Sequence, residues 1–408
     1  MKKEIKICFF LNSAREIDMY ANVYEKFSKE KIIFLINDYD NKTLFEEDLI
    51  NIKNFLSKNE FSYEFLSTIH GKKKFKLLIS TGDLSIKKFK LKNFFKYFYA
   101  KSVGTLIEIL DLKIYFRKKF NRDFTAGGSK AEFLSDEYIE KDISEHTVKF
   151  PNGLDRNIKF FPNKKWKNNF DYYLTASLIE DRLIKKKFPD KKTFLIGYSR
   201  FYEKNIYEEK KLIKEFNFDY SKKNIYCSPC EWIMLSQNKS SIIKFISFLK
   251  KLDKKYNLIL RPHPKLRYTK PEFFKLFKDS NLKLDLDPFR KLQYLFNLAD
   301  LVIADFGSSV LEAIYLKKKI LIYNWQDEEN QRYKYDKMNC LDGLVRNKLV
   351  NTKDIDEEKI IDHLEDFISD ESYQNKIVDV NLSIFGDKQK YALPDKILRE
   401  IYDNKTKF

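Results

Sequence analysis

Short apolar runs alternate with helical patterns from one end of this 408-residue chain to the other, and that alternation restricts its fold more than any other feature. Candidate strands fall at residues 5–11, 32–36, 76–80, 171–175, 193–198, 224–228, 257–260, 301–305 and 319–323. Most are apolar nearly throughout, the pattern of a strand covered on both faces. Between them lie stretches such as 241–256, where Ile242, Phe245, Ile246, Leu249 and Leu252 recur on one helical face. This predicts an α/β protein with parallel, doubly wound sheets and ligands at the carboxyl ends of the strands. The length exceeds one ordinary core, so two Rossmann-like domains are expected. Residues 1–188 and 189–375 form them, and a C-terminal helical segment, 376–408, would return to the first. Residues 185–192, charged and carrying Pro189, mark the boundary, while 121–155 read as loop-rich.

A formal charge of +18 raises a nucleic-acid reading. The excess is mostly Lys and runs along the whole chain, as it does where Lys simply fills solvated faces, so no nucleic-acid groove is expected. A diffusely basic surface suits instead an anionic lipid surface or a polyanionic substrate. Cys8, Cys227, Cys230 and Cys340 build no disulfide framework, and the C-x-x-C of Cys227 and Cys230 lacks the second pair or nearby His of a zinc site. Structural thiols and no metal are the expectation. The first residues enter a strand directly, without a signal peptide's apolar region, and no apolar run approaches the ~20 residues that span a bilayer. A cytoplasmic protein lying against the inner membrane face fits these features.

Two segments carry the chemistry. In Leu260-Arg261-Pro262-His263-Pro264 an apolar strand ends in a guanidinium and an imidazole held between prolines. The prolines stiffen the backbone and remove donors, so the ring projects from the strand end. Arg261 can fork onto phosphate oxygens and His263 can donate to developing negative charge. The rival reading, a proline-rich surface turn, is weighed down by the position and by there being four His in the chain. The second segment, Asp305-Phe306-Gly307-Ser308-Ser309-Val310-Leu311-Glu312, reads as strand, Gly turn and helix start. Ser308 or Ser309 would cap the helix, whose N–H groups and dipole would hold a diphosphate, and Glu312 would reach a ribose hydroxyl. Both segments are expected on neighbouring strand ends. No P-loop, G-x-G-x-x-G or Ser-centred nucleophile elbow is present.

These segments, in this order, resemble the CDP-glycerol glycerophosphotransferase family of teichoic-acid and capsule polymerases, over roughly residues 170–335. Residues 171–177 look like that family's strand near the end of its first domain, and Ile196-Gly197-Tyr198-Ser199-Arg200 like its Gly-Tyr-Pro-Arg element, with Ser199 for Pro. Tyr226-Cys227-Ser228-Pro229 is similar to its Tyr-Ala-Pro-Thr strand, Arg261-Pro262-His263-Pro264 matches its basic motif, and 305–310 resemble its Asp-Tyr-Ser-Ser-Val element. The resemblance implies two Rossmann-like domains facing a cleft (the GT-B arrangement), metal-independent catalysis without a cofactor, peripheral membrane association, and donor contacts from Tyr198, Arg200, Arg261, Gly307, Ser308 and Ser309 with His263 catalytic. Glu312 departs from the family, which has an apolar residue there, and is closer to the ribose-contacting Glu of the broader class of nucleotide-sugar glycosyltransferases. The family's first-domain His-Gly has no His here: Asn152-Gly153 or residues 126–130 stand in its place, leaving Asp155, His146 and Asp123 as candidate bases.

The implied reaction moves an alditol-phosphate or sugar unit from a nucleotide-activated donor to a hydroxyl of a glycan or lipid-linked acceptor. A sugar-nucleotide epimerase of the same fold and a non-catalytic membrane-docking relative are the alternatives.

Overall fold

The computed structural model of the protein describes residues 6–38, 46–69, 74–82, 84–89, 102, 134–151, 169–201, 206–230, 234, 237–325, 341, 343, 345–352 and 357–404. The first half is one parallel sheet in the order β3-β2-β1-β4-β7-β8-β9. Its strands are β1 (Ile7–Leu11), β2 (Ile32–Ile36), β3 (Tyr63–Phe65), β4 (Phe75–Ser80), β7 (Ser144–Lys149), β8 (Tyr172–Thr175) and β9 (Lys192–Leu195). A separate antiparallel ribbon joins β5 (Ser85–Phe89) to β6 (Leu134–Tyr138). Two of these strands, β6 and β7, lie inside the stretch expected to be loop-rich. Their sequences, LSDEY and SEHTVK, carry too many polar residues for an apolar-run criterion to find.

The second sheet runs β11-β10-β12-β13, all parallel, from β10 (Asn224–Ser228), β11 (Asn257–Leu260), β12 (Leu301–Ala304) and β13 (Lys319–Ile322). The helices that matter below are α1 (Arg15–Tyr24), α2 (Glu46–Lys58), α3 (Leu178–Lys187), α4 (Lys239–Lys255), α5 (Ser308–Tyr315), α6 (Glu371–Phe385) and α7 (Pro394–Tyr402). Local chemistry sets several of their ends. Ser177 accepts from the Glu180 N–H at 3.0 Å while Glu180 reaches back to the Ala176 N–H at 2.7 Å, a capping box that starts α3. Asn238 caps α4, whose Ile242, Phe245, Ile246, Leu249 and Leu252 are all buried, as the periodicity predicts.

Two boundaries differ from expectation. β9 pairs with β8, so the first sheet continues past residue 188 to Leu195. Position 376 falls inside α6, which packs on α5 and β13 of the second domain and on α3. α6 thus already touches α3 of the first domain, and α7 completes the return: Ile397, Leu398 and Ile401 join the core around Phe9, Phe34 and Ile79. Between β13 and α6 lie two further short helices, Glu357–Asp362 and Leu364–Ser369. Among the described residues no helix is long and apolar enough to cross a membrane.

The chain crosses between the domains twice, just after β9 and between α6 and α7, and the crossings pack on one another. Gly197 has φ +68°, and a Cβ there would lie 2.3 Å from a Tyr391 ring carbon and 2.7 Å from the Tyr315 hydroxyl. Left-handed backbone and absent side chain are therefore both required. Replacing Gly197 with Ala should destabilise the protein by at least about 1–3 kcal/mol, from backbone strain and forced repacking together. A denaturation midpoint equal to that of the unaltered protein would refute this.

Candidate functional site

In a doubly wound sheet a ligand crevice opens where successive strands leave the first strand in opposite directions. In the second sheet β10 is that strand, with β11 on one side and β12 on the other, so the crevice lies at the carboxyl end of β10 beside β12. The two predicted segments meet there, but not as nearest neighbours. β10 runs between β11 and β12, and the two strands are therefore about 10 Å apart. Register fixes the heights: Cys227 pairs with Leu260 and Ser228 with Ala304, placing Arg261, Ser228 and Asp305 within about one residue of the same level.

On the β11 side, Arg261 is buried and its guanidinium is held by Asp285, which also accepts from Arg290 Nε at 2.7 Å. Asp285 arrives there because residues 283–285 lie alongside β11, with the Asp285 N–H donating to the Leu260 carbonyl at 3.0 Å. The cation is thus clamped at the strand tip. His263, two residues on, is half-buried, and its Nδ1 accepts the Lys265 N–H at 3.3 Å. That bond places the proton of a neutral ring on Nε2, so the outward nitrogen is the donor.

On the β12 side the helix start differs from the capping expected. Gly307 is the N-cap of α5, with φ +82°, and no side chain caps it. Ser308 and Ser309 occupy the first turn. Ser309 Oγ lies 3.0 Å from Ser228 Oγ, which ties the helix start to the tip of β10. Beneath them Asp305 organises the rim. Its Oδ1 accepts from the Cys230 and Phe306 N–H groups, each at 2.7 Å, and its Oδ2 from Trp325 Nε1 at 2.8 Å. Burial raises the Asp305 carboxyl to about 6, against the lowering pull of these donors and of Arg346. Arg346 itself bridges the Asp305 carbonyl at 2.5 Å and Asn324 Oδ1 at 2.9 Å, so one node fixes the loops after β10, β12 and β13. Cys230 enters through its backbone; Cys8, Cys227 and Cys230 are buried free thiols, and no metal-binding group appears among the described residues.

Other predicted contacts have different surroundings. Glu312 is 4% exposed and its Oε1 accepts from Arg200 Nη1 at 3.2 Å, so it serves a buried ion pair rather than an open ribose contact. Arg200 also grips Asp18 of α1, through Nε at 3.0 Å and through Nη2, making the pair a three-membered bridge between the domains. Tyr198 is core: its ring packs on Phe201, Tyr315 and Phe385. Helical and strand periodicity cannot separate a buried Tyr from a ligand contact, and here packing claimed it. His146 lies level with Leu77 and Ile7 at the amino edge of the first sheet and meets Asn404 Oδ1 at 2.9 Å. The ligand edge is the opposite one, so His146 is not placed to act on an acceptor. Asp155, Asp123 and Asn152-Gly153 lie outside the described residues, although β7 delivers the chain to the cleft edge at Pro151, four residues before Asp155.

The first sheet has its own crevice, between the carboxyl ends of β1 and β4. Glu16, on the first turn of α1, ties it together: it accepts from the Asn12 N–H, from the Ser13 N–H at 3.0 Å and from the Thr81 hydroxyl. Burial raises this carboxyl despite those donors. Asp285, Asp18 and Glu16 carried no motif signal, and Ser228, although inside the Tyr226-to-Pro229 segment, was given no role there, because their roles follow from strand order and domain contact.

The sequence profile of CDP-glycerol:poly(glycerophosphate) glycerophosphotransferases matches residues 148–401, more than half of the chain. No curated protein matches the sequence. Among solved structures, the wall teichoic acid polymerase TagF is similar. A variant of it soaked with CDPG matches at TM-score 0.58 and 13% identity, covering 100% of this chain and 92% of that one. TagF without a named substitution matches at TM-score 0.56 and 13% identity, over 99% and 89%. At such identity the likeness speaks to the fold, two Rossmann-like domains in the GT-B arrangement.

Proposed function

This chain belongs to the CDP-glycerol:poly(glycerophosphate) glycerophosphotransferase family, and on that premise we propose that it moves a polyol-phosphate unit from a nucleotide diphosphate donor of the CDP-glycerol type to a hydroxyl of a cell-surface glycan or its lipid-linked precursor. The observation that carries the reading is the convergence of Arg261, His263, Ser228 and the start of α5 on the crevice of the second sheet. Cations and backbone N–H groups gathered at strand tips suit a diphosphate.

In the reaction an acceptor oxygen bonds to the distal phosphorus as the bridging P–O bond breaks, and the nucleotide monophosphate departs with the electron pair. His263 Nε2–H and Arg261 meet the charge that collects on the departing phosphate, and the first turn of α5 lies along its other side. Asp285 holds Arg261 in place, so little reorganisation accompanies the step. The acceptor's proton needs a base on the first-domain side, where Asp155 follows the cleft end of β7.

Binding tests the donor class directly. CDP-glycerol at a hundredfold excess over its Kd should stabilise the protein by about 2.7 kcal/mol, seen as a raised melting temperature. A UDP-linked sugar at the same concentration should do less. No shift with CDP-glycerol, or a larger one with the UDP-sugar, would remove the proposed donor.

A further inference from the structure

We infer that Arg15, from the first domain, is a donor contact that reaches across the cleft to the distal phosphate, the one that is transferred. The inference rests on the donor site proposed above and adds to it a residue that no motif of the second domain contains.

The argument is geometric. Arg200 fastens α1 to α5 by gripping Asp18 on one helix and Glu312 on the other. Both helices begin at the carboxyl edge of their sheets, directly after β1 and β12, so both send their N-termini toward the cleft. One turn closer to those N-termini than the bridge stand Arg15 on α1, three residues before Asp18, and Ser308 and Ser309 on α5, four and three residues before Glu312. Residues three or four apart share a helix face. Arg15 therefore lies on the face of α1 that looks toward the serines. It is exposed, and its charge reaches Glu312, opposing the burial that raises that carboxyl.

A second feature marks the crevice behind the serines as made for a polar guest. Tyr226 shares a face of β10 with Ser228, is 1% exposed, and has the Ser228 side chain as its polar neighbour, so polar groups lie along that face of the strand tip. An anion seated among Ser228, Ser309 and α5 would have second-domain groups on one side, with the Arg15 guanidinium closing the other. Since Arg261 and His263 serve the phosphate that leaves with the nucleotide, the first-domain cation falls to the phosphate that moves toward the acceptor.

The distinguishing probes are CMP, which keeps only the proximal phosphate, and CDP-glycerol, which has both. By calorimetry on the full-length protein, Arg15→Ala should weaken CDP-glycerol roughly 10- to 100-fold, the worth of a charge-assisted contact, and leave CMP unchanged. Arg15→Lys should recover part of the loss. If Arg15→Ala weakens both ligands equally, or neither, the inference fails while the donor site stands. If the unaltered protein binds neither CMP nor CDP-glycerol, the donor reading fails and this inference goes with it.

Discussion

Replacing His263 with Ala should lower the turnover number about 10²–10³-fold, the usual cost of removing one donor to a developing oxyanion, while leaving the fold intact. The side chain is half-buried at a strand tip and packs in no hydrophobic cluster, so its removal opens no core cavity. In the proposed reaction Nε2–H meets charge that grows as the bridging bond breaks, so the loss should fall on kcat and much less on donor affinity. Steady-state transfer from CDP-glycerol, together with calorimetric binding, separates the two. An affinity loss as large as the turnover loss would make His263 a simple binding group, and near-normal turnover would remove it from the reaction.

Arg200→Ala should be the most destabilising single change, at about 3–5 kcal/mol near neutral pH. The guanidinium is 6% exposed and neutralises two carboxylates, Asp18 and Glu312, that are 5% and 4% exposed themselves. Removing it leaves two like charges buried side by side across the domain interface. Burial already raises the Glu312 carboxyl, and without Arg200 it would be pushed further up, since the guanidinium that opposes burial is gone while the Asp18 charge still repels. A group whose folded pKa is raised binds more protons in the native state, so stability then rises as pH falls through that window. The gap between the variant and the unaltered protein should accordingly narrow from pH 7 to pH 5. Denaturation at the two pH values measures it; a gap that widens on acidification, or no gap at pH 7, would show that the bridge is not the domain fastener described here. Because the same bridge sets Arg15 opposite α5, Arg200→Lys should retain stability better than transfer, since an ammonium cannot fork to both carboxylates.

Nine of the thirteen strands among the described residues were legible from hydrophobic period alone. Eight of the nine apolar runs became strands within one or two residues at either end, and 193–198 gave β9 at 192–195, because a strand buried on both faces must be apolar nearly throughout. β7 escaped because it mixes Ser144, Glu145, His146 and Thr147 with only one aliphatic residue, and edge polarity of that kind has no period to read. The segments around His263 and Ser308-Ser309 were legible because prolines beside the imidazole and glycine before the serines are demands of backbone geometry, and those are written in residue type.

What they touch was another matter. Spacing along the chain carries no record of which strand lies between two others, so β10 and its Ser228 came between the two motif strands unannounced. Nor does it record what the other domain presents. Arg200 and Glu312, read alone, suit a ligand; with Asp18 brought up by α1 they satisfy each other. The amino acid sequence by itself therefore determined the two-sheet architecture and the local form of the Arg261-to-Pro264 and Gly307-to-Ser309 segments, since both depend on local period and local backbone. Only the tertiary structure decided which charged groups face a guest and which are consumed in holding the domains together, because a buried charge takes the nearest opposite charge that folding delivers.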